Sequence, residues 1–303
     1  MIRTTSKQEL ANVVTHAGSF HADEVLATVI LSRVLEDVTV LRTLKVPDDL
    51  EEDVIVYDIG GGKFDHHQKG GNGTRENGVP YAAAGLIWKE FGHRIVEDSV
   101  NPDLVWALID KELMEPVDAN DNGVMPMAEY AARELSFSKV IATFNPAWDD
   151  LDEDPDEAFL KAVALAERVF EMQLKDAMAK AKGQKIVEDA IEKAEDHIMV
   201  LDKFVPWDEF IFSSKNEKAE EILFVVFPSK RGGYNWQCVP DCLGSFGQRK
   251  KVPAAWRGLR DEAFQKITGV DTAEFCHPAG FIGGAKTFED TYALAKLAVE
   301  ASE

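Results

Sequence analysis

The tightest constraint on this chain lies in residues 12–60, where strand-like and helix-like runs alternate. NVVT at 12–15 reads as a short buried strand, and ADEVLATVILSRVLE at 22–36 has the length of a helix despite its Val and Ile content. VTVLRT at 38–43 and VIVYDIG at 54–60 read as two further strands. Strands separated by a helix predict a βαβ unit and a parallel sheet. In such a sheet, ligands bind in the loops at the carboxyl ends of the strands. His16 and Asp58 each follow a strand, so they are expected on one edge.

Helical patterns continue at 81–92, 102–114 and 127–142. NPAWDDLDEDPDE at 145–157 is acidic, rich in helix breakers and without period, and reads as a solvated boundary between domains. Asp150, Asp152 and Asp154 imitate the start of a calcium loop, but Pro155 stands where glycine is needed and Lys161 where a bidentate glutamate is needed. A long Ala-, Glu- and Lys-rich helical run from 156 to about 197 leads to strands at 222–228 and 234–239. A last helix over 287–301 is expected to be capped by Thr287. The expected architecture is α/β: a parallel-sheet catalytic domain at 1–150, an acidic linker and connecting helix at 151–197, and a smaller α/β substrate-binding domain at 198–303.

Charge narrows the function. Lys+Arg 33 against Asp+Glu 54 gives a net charge of −21, which opposes non-specific binding to long nucleic acid unless positive charge is concentrated locally. The segment 229–260 does concentrate it: Lys230, Arg231, Arg249, Lys250, Lys251, Arg257 and Arg260 stand against the single acid Asp241. Tyr234, Trp236 and Trp256 interleave with them and are expected to stack on bases, which suits short or single-stranded ligands. Cys238, Cys242 and Cys276 form no C-x-x-C pair, and no secretory signal or membrane-length apolar run is visible, so a soluble cytoplasmic protein is expected. Those cysteines with His277 have poor spacing for structural zinc, and His93 and His197 have no motif around them.

Four of the seven histidines lie between residues 16 and 67. THAGSFHADE places His16 and His21 ahead of Asp23 and Glu24, where acids would also favour a helix start through its dipole. Glycines 60–62 allow a sharp turn before FDHH, returning Asp65, His66 and His67 toward the first motif, with Asp58 between. Asp118 and Asp121 in EPVDANDNG join the same edge, although NDNG also makes a good turn. Converging carboxylates without basic partners would repel one another, and divalent cations remove that conflict. Mixed imidazole and carboxylate donors fit Mn²⁺ better than Mg²⁺.

FDHH resembles the signature of the DHH phosphoesterase superfamily. THAGSFHADE, YDIGGGKFDHHQ, EPVDANDNG, WRGLRDE and HPAGFIGGAKTFED together are similar to the melanocyte-proliferating-gene family of DHH-type nucleases, over residues 15 to about 290. The resemblance implies a two-domain α/β fold, two Mn²⁺ or Mg²⁺ ions per active site, and 3′–5′ exonuclease action on short single-stranded RNA. It implies that His16 and His21 bind one metal and Asp23 the other, that Asp58 bridges, and that His66 and Asp118 complete the second site. By the same resemblance, Asp65 orients His66 and His67 faces the scissile phosphate; Arg257 and Arg260, whose guanidinium groups can grip phosphate bidentately, and His277 with Gly283 and Gly284 are the expected substrate contacts. Two departures stand out: His21 replaces the superfamily's usual aspartate, and Gly283-Gly284 is followed by Ala285 and Lys286 rather than histidine. Two other functions fit the residues, namely a hydrolase of small nucleotides or dinucleotides, favoured by the negative charge, and a non-catalytic metal-dependent binding protein.

Overall fold

The computed structural model describes residues 1–124, 135–150 and 152–301. The fold is α/β, with a parallel four-stranded sheet and a separate mixed five-stranded sheet. By internal contacts the chain divides into two compact units, Met1–Ala179 and Lys180–Glu303.

In the first unit, β1 (Ile2–Thr5), β2 (Val13–His16), β3 (Val38–Thr43) and β4 (Ile55–Val56) lie in the order β1-β3-β2-β4, all parallel. Five of the six residues of β3 are buried, Thr39 and Arg42 among them, as expected of a strand covered on both faces. The edge strand β1 was not expected, since IRTT is short and half-polar. Helix α1 (Ala22–Leu31) is buried along its whole length, so its Val and Ile content reflects surroundings that are apolar all round rather than helix propensity. It ends before the expected residue 36, where the Ser32 hydroxyl donates to the Val29 carbonyl at 2.7 Å and the chain turns toward β3.

Helices α2 (Ala83–Val96) and α3 (Pro102–Ile109) follow, then a single π-helical stretch at Asp110–Met114, then α4 (Glu115–Asp121). Pro116 has no N–H for the carbonyl four residues back, which explains why the helical path widens just before it. Helix α5 (Phe137–Ala142) forms the end of the run expected at 127–142, of which 127–134 lie outside the described residues. The acidic segment at 145–157 is anchored rather than free. The Asn145 side chain accepts from Phe20 N and donates to Phe20 O, each at 2.9 Å, and Asp156 pairs with buried Arg42 at 3.0 Å. Most of the expected connecting segment is one helix, α6 (Pro155–Glu192), which carries the division between the units.

The second unit contains β5 (Ile198–Val200), α7 (Asp208–Ser213), α8 (Lys218–Glu221), β6 (Phe224–Pro228), β7 (Tyr234–Cys238), α9 (Asp261–Thr268), β8 (Ala273–Cys276), β9 (Ile282–Ala285) and α10 (Phe288–Glu300). Its sheet order is β5-β6-β7-β9-β8. Thr287 caps α10, its hydroxyl accepting from Asp290 N at 3.2 Å. Phe224, Val226, Trp236, Phe264 and Leu294 build the core between this sheet and α9 and α10. Among the described residues no helix is long and apolar enough to cross a membrane.

Candidate metal centre

The carboxyl edge of the parallel sheet gathers side chains from six places. His16 ends β2, His21 precedes α1, Asp23 and Glu24 open α1, Asp58 follows β4, and Asp121 ends α4. His66 and His67 come from the loop after Asp58. Local physics fixes several of them. The His21 N–H donates to both Glu24 carboxylate oxygens, at 3.0 and 2.9 Å, closing a capping box that holds Glu24 beneath the turn. Asp58 has φ 58, a left-handed conformation that an aspartate tolerates at some strain and that is common at functional sites.

Asp58 lies at the middle. Its Oδ2 is 3.2 Å from His16 Nε2 and its Oδ1 is 3.2 Å from His66 Nε2. His16 Nε2 also meets Glu24 Oε1 at 3.0 Å. His66 Nε2 meets Asp121 Oδ2 at 3.0 Å and Asp23 Oδ2 at 3.8 Å, and His21 Nδ1 lies 3.7 Å from Asp121 Oδ1. Asp23, Glu24 and Asp58 are almost wholly buried. Burial first, then the charges of Asp58, Glu24 and Asp121, push the Asp23 carboxyl well above the usual carboxylate range. Burial works against the ionised form of Asp58, but hydrogen bonds from His16 and His66 outweigh it and hold its pKa low. Asp58 and then Glu24 carry the His16 ring up to about 10. Burial opposes the charged His66 ring, yet Asp121 and Asp58 bring it to about 10 as well.

These donors fit divalent cations. Asp23 Oδ1 is buried without a hydrogen-bond partner among the described residues, and the buried Asp58 oxygens and His66 Nε2 face only other members of the cluster, all of which a cation would satisfy. Donor atoms lie within 4.8 Å of one another in four overlapping groups: His16–His21–Glu24, Asp58–His66–His67, His21–Asp23–Asp121 and Asp23–Glu24–Asp58. Imidazole nitrogens mixed with carboxylate oxygens are a borderline-to-hard donor set. The adjoining cavity of about 540 Å³ is lined by His21, His66, His67 and Asp121, with Ser138 and Lys139 of α5 on its wall.

Two of the expected site residues meet other partners than expected. Asp118 does not join the cluster. Its Oδ2 is 2.8 Å from Arg75 Nη1 and its Oδ1 accepts from Gly85 N at 3.0 Å. Arg75 also grips Asp110 at 2.7 and 2.9 Å, so Asp118 belongs to a buried ion-pair network. Burial leads in raising its pKa to about 7, against the pull of Arg75. Asp121, one helical turn on, is the acid that reaches the histidines. Asp65, expected to orient His66, instead accepts from the His67 backbone N–H, and its Oδ1 is 2.9 Å from His67 Nδ1. His66 Nδ1 faces Asn122 Oδ1 at 3.4 Å, and Asn122 in turn donates to the Asp118 carbonyl at 2.9 Å. Glu24 was noted from sequence within the first motif but not assigned as a ligand, and Asn122 was not singled out. The three-residue spacing from His21 to Glu24 was the available signal for the first, and the NDNG turn hid the second.

In the second unit the basic segment separates by role. Arg249 donates to the carbonyls of Ala219, Glu220 and Ile222, Lys250 to that of Ala301, and Arg257 to that of Val252. Trp236 and Trp256 are core residues and Tyr234 packs edge-on against Phe288, so none of the three is placed to stack on a base. Gly283 faces the core, where a Cβ would strike Trp236, whereas Gly284 lies on the opposite face beside Asn235 and Phe275. His277 packs against Phe281 with ring centres 4.6 Å apart. Arg260 lines an open cavity with Phe275.

The pattern of the MYG1 exonuclease family, described as an uncharacterised protein family (UPF0160), matches residues 12–299. The MYG1 protein of Saccharomyces cerevisiae is 34% identical, with 95% of each chain covered. The human MYG1 exonuclease is 31% identical over 93% of this chain and 84% of its own length. The MYG1 protein of Schizosaccharomyces pombe is 31% identical over 96% and 98%. No solved structure matches the chain. With nearly the whole length matched and identity above 30% in these relatives, the chain belongs to the MYG1 exonuclease family.

Proposed function

We propose that this chain is a metal-dependent phosphodiesterase of the DHH type, a 3′–5′ exoribonuclease that trims short single-stranded RNA. The observation that carries this reading is Asp58, whose two oxygens face His16 and His66 from opposite sides at 3.2 Å. One carboxylate shared in this way suits a pair of cations, with His16, His21, Asp23, Glu24, His66 and Asp121 supplying the remaining donors. Mn²⁺ fits that set better than Mg²⁺ because of the imidazoles. Two such cations lower the proton affinity of water and neutralise charge on a phosphate as it reacts. Relatives in human and rat carry the name MYG1 exonuclease, which supports the substrate class.

The chain's own groups supply the rest. With Nδ1–H given to Asp65, the His67 ring is held in place, and in its imidazolium form Nε2–H is left to donate to a phosphate oxygen or a leaving oxygen. Lys139 adds a cation to the cavity wall, and the Asp23, Glu24 and Asp58 carboxyls lie buried beneath it. In the second unit, Arg257, Arg260, His277 and Gly284 are the proposed substrate contacts, while Gly283 acts by letting the strand pack on Trp236. The three cysteines are free, in keeping with a reducing compartment such as the cytoplasm.

The test is cleavage of 5′-labelled oligoribonucleotides, oligodeoxyribonucleotides and dinucleotides, with Mn²⁺ and after chelation. A ladder of 3′-shortened RNA products that requires the cation is the expected result. A steep preference for dinucleotides would replace RNA trimming with small-nucleotide hydrolysis, which the net charge of −21 favours. Absence of cleavage of every phosphodiester would leave a binding protein.

A further inference from the structure

The second sheet presents two unlike faces. One is packed: Phe224, Val226, Trp236 and Ala285 point into the core beneath α9 and α10. On the other face the register places Phe227 beside Asn235, Gln237 beside Ile282, and Phe275 beside Gly284. Phe204 covers the β6 side, edge-on to Phe227 with ring centres 5.2 Å apart. Over β7, β9 and β8 the face opens into two cavities of about 640 and 700 Å³, and Phe204 lines both.

The two cavities differ in chemistry. The first collects Lys230 and Arg231 from the β6–β7 turn and Arg260 from the start of α9, with Asn235 and Phe275. Asp261 and Glu274 also line it, which leaves the cations in excess. Unlike Arg249, Lys250 and Arg257, each of which gives a donor to a backbone carbonyl, these three show no side-chain hydrogen bond to a carbonyl or ion pair with an acid among the described residues. Two of them lie over rings instead, Arg260 5.7 Å from the Phe275 centre and Lys230 5.9 Å from that of Phe204. Available cations brought together from two separate segments of a strongly acidic chain form an anion site.

The second cavity is aromatic and amide-lined, with Trp207, Phe246, Phe281, Gln237 and Gln248 on its walls. Phe246 sits on a loop between Gly244 and Gly247 with a relative exposure of 102%, and it makes no contribution to the core. An apolar ring presented wholly to solvent beside a cavity is placed for a flat ligand, and the glutamine amides can both donate to and accept from a base edge.

We propose that this open sheet face binds single-stranded nucleic acid across both cavities, with backbone phosphate on Lys230, Arg231 and Arg260 and an unpaired base against Phe246 and Phe281. Stacking needs a base free of its partner strand, so duplex is excluded. The choice of nucleic acid over another phosphate-bearing ligand rests on the nuclease reading. The binding surface itself rests on the second unit alone.

Fluorescence anisotropy with a labelled oligouridylate of about ten nucleotides tests it, using the full chain in EDTA so that no cleavage intervenes. Lys230→Ala/Arg231→Ala should weaken binding by about tenfold or more and flatten the slope of log K against log salt by about 1.4. Phe246→Ala should weaken binding by about tenfold with the salt slope unchanged, and an abasic oligomer should show the same loss on the parent protein. Both sets of substitutions lie on the surface, so thermal melts should be unmoved. Parent-like affinity in the variants, or equal binding of duplex, overturns the proposal. Failure of RNA cleavage would remove the nuclease reading yet leave this binding measurable, and Lys230→Ala/Arg231→Ala and Phe246→Ala should leave cleavage of dinucleotides intact.

Discussion

Asp118 and Asp121 lie three residues apart on one helix and serve opposite ends. Asp121 faces the histidines, and Asp118 faces Arg75. Breaking a buried ion pair leaves an uncompensated charge, so Arg75→Met should lower stability by about 3–5 kcal/mol, read by denaturant unfolding. Asp121→Asn should instead weaken divalent-cation affinity by about 10–100-fold with stability nearly unchanged, read by calorimetric titration. If the two variants exchange these effects, the assignment of the two aspartates is wrong. Sequence could not separate them, because an i, i+3 pair shares one helix face. Which of the two reaches the centre depends on Arg75, a residue from a distant loop with no motif of its own.

The same residues set a pH dependence. In the metal-free protein the His16 and His66 rings are held up to about 10 by neighbouring carboxylates. A raised imidazole value means that the stability these pairs provide is complete below the ordinary value near 6.5 and is lost as pH rises toward 10. A cation must displace the same protons. Apparent cation affinity should therefore climb with pH across that window, and binding near pH 8 should release roughly two protons. Titration calorimetry in buffers of different ionisation heat measures the number directly. Heats independent of buffer would contradict the coupling.

At the scale of elements, β3 was legible residue for residue because both faces are covered and its β-branched run has no other reading. Helix α1 was legible in kind but not in length, since the Ser32 hydroxyl bond that ends it leaves no periodic trace. Strands β1, β5, β8 and β9 were missed. They are three or four residues long and held by neighbours in the sheet rather than by pattern. Trp236 and Trp256 were misread because basic residues surround them in sequence, while strand alternation and the core decide where the rings point. Gly85 on α2 shows how tightly the elements meet. A Cβ there would collide with the Asp118 carboxylate and crowd Arg75. In an exposed helix Gly→Ala gains about 1 kcal/mol. Gly85→Ala should instead lose about 1–3 kcal/mol by overpacking, seen as a lower melting temperature. A gain would mean that α2 and α4 can part more freely than their geometry implies.

Across the whole molecule, a net charge of −21 coexists with a small cluster of available cations on one sheet face. The acidic surface opposes long polyanions, and local positive charge selects ligands short enough to use it. The two-unit α/β plan was readable because hydrophobic period changes along the chain, and the centre was readable because histidines and acids crowd the strand ends. The central claim is that Asp58 joins two cations. It is tested most directly by the Mn²⁺ content of the parent, Asp58→Gly and His21→Ala proteins after equilibrium dialysis. Glycine accommodates the left-handed backbone at this position, so metal lost from Asp58→Gly reports the carboxylate rather than the fold. The account predicts about two ions per chain in the parent, none in Asp58→Gly and about one in His21→Ala. Full metal content in Asp58→Gly, or equal loss from both variants, would contradict it.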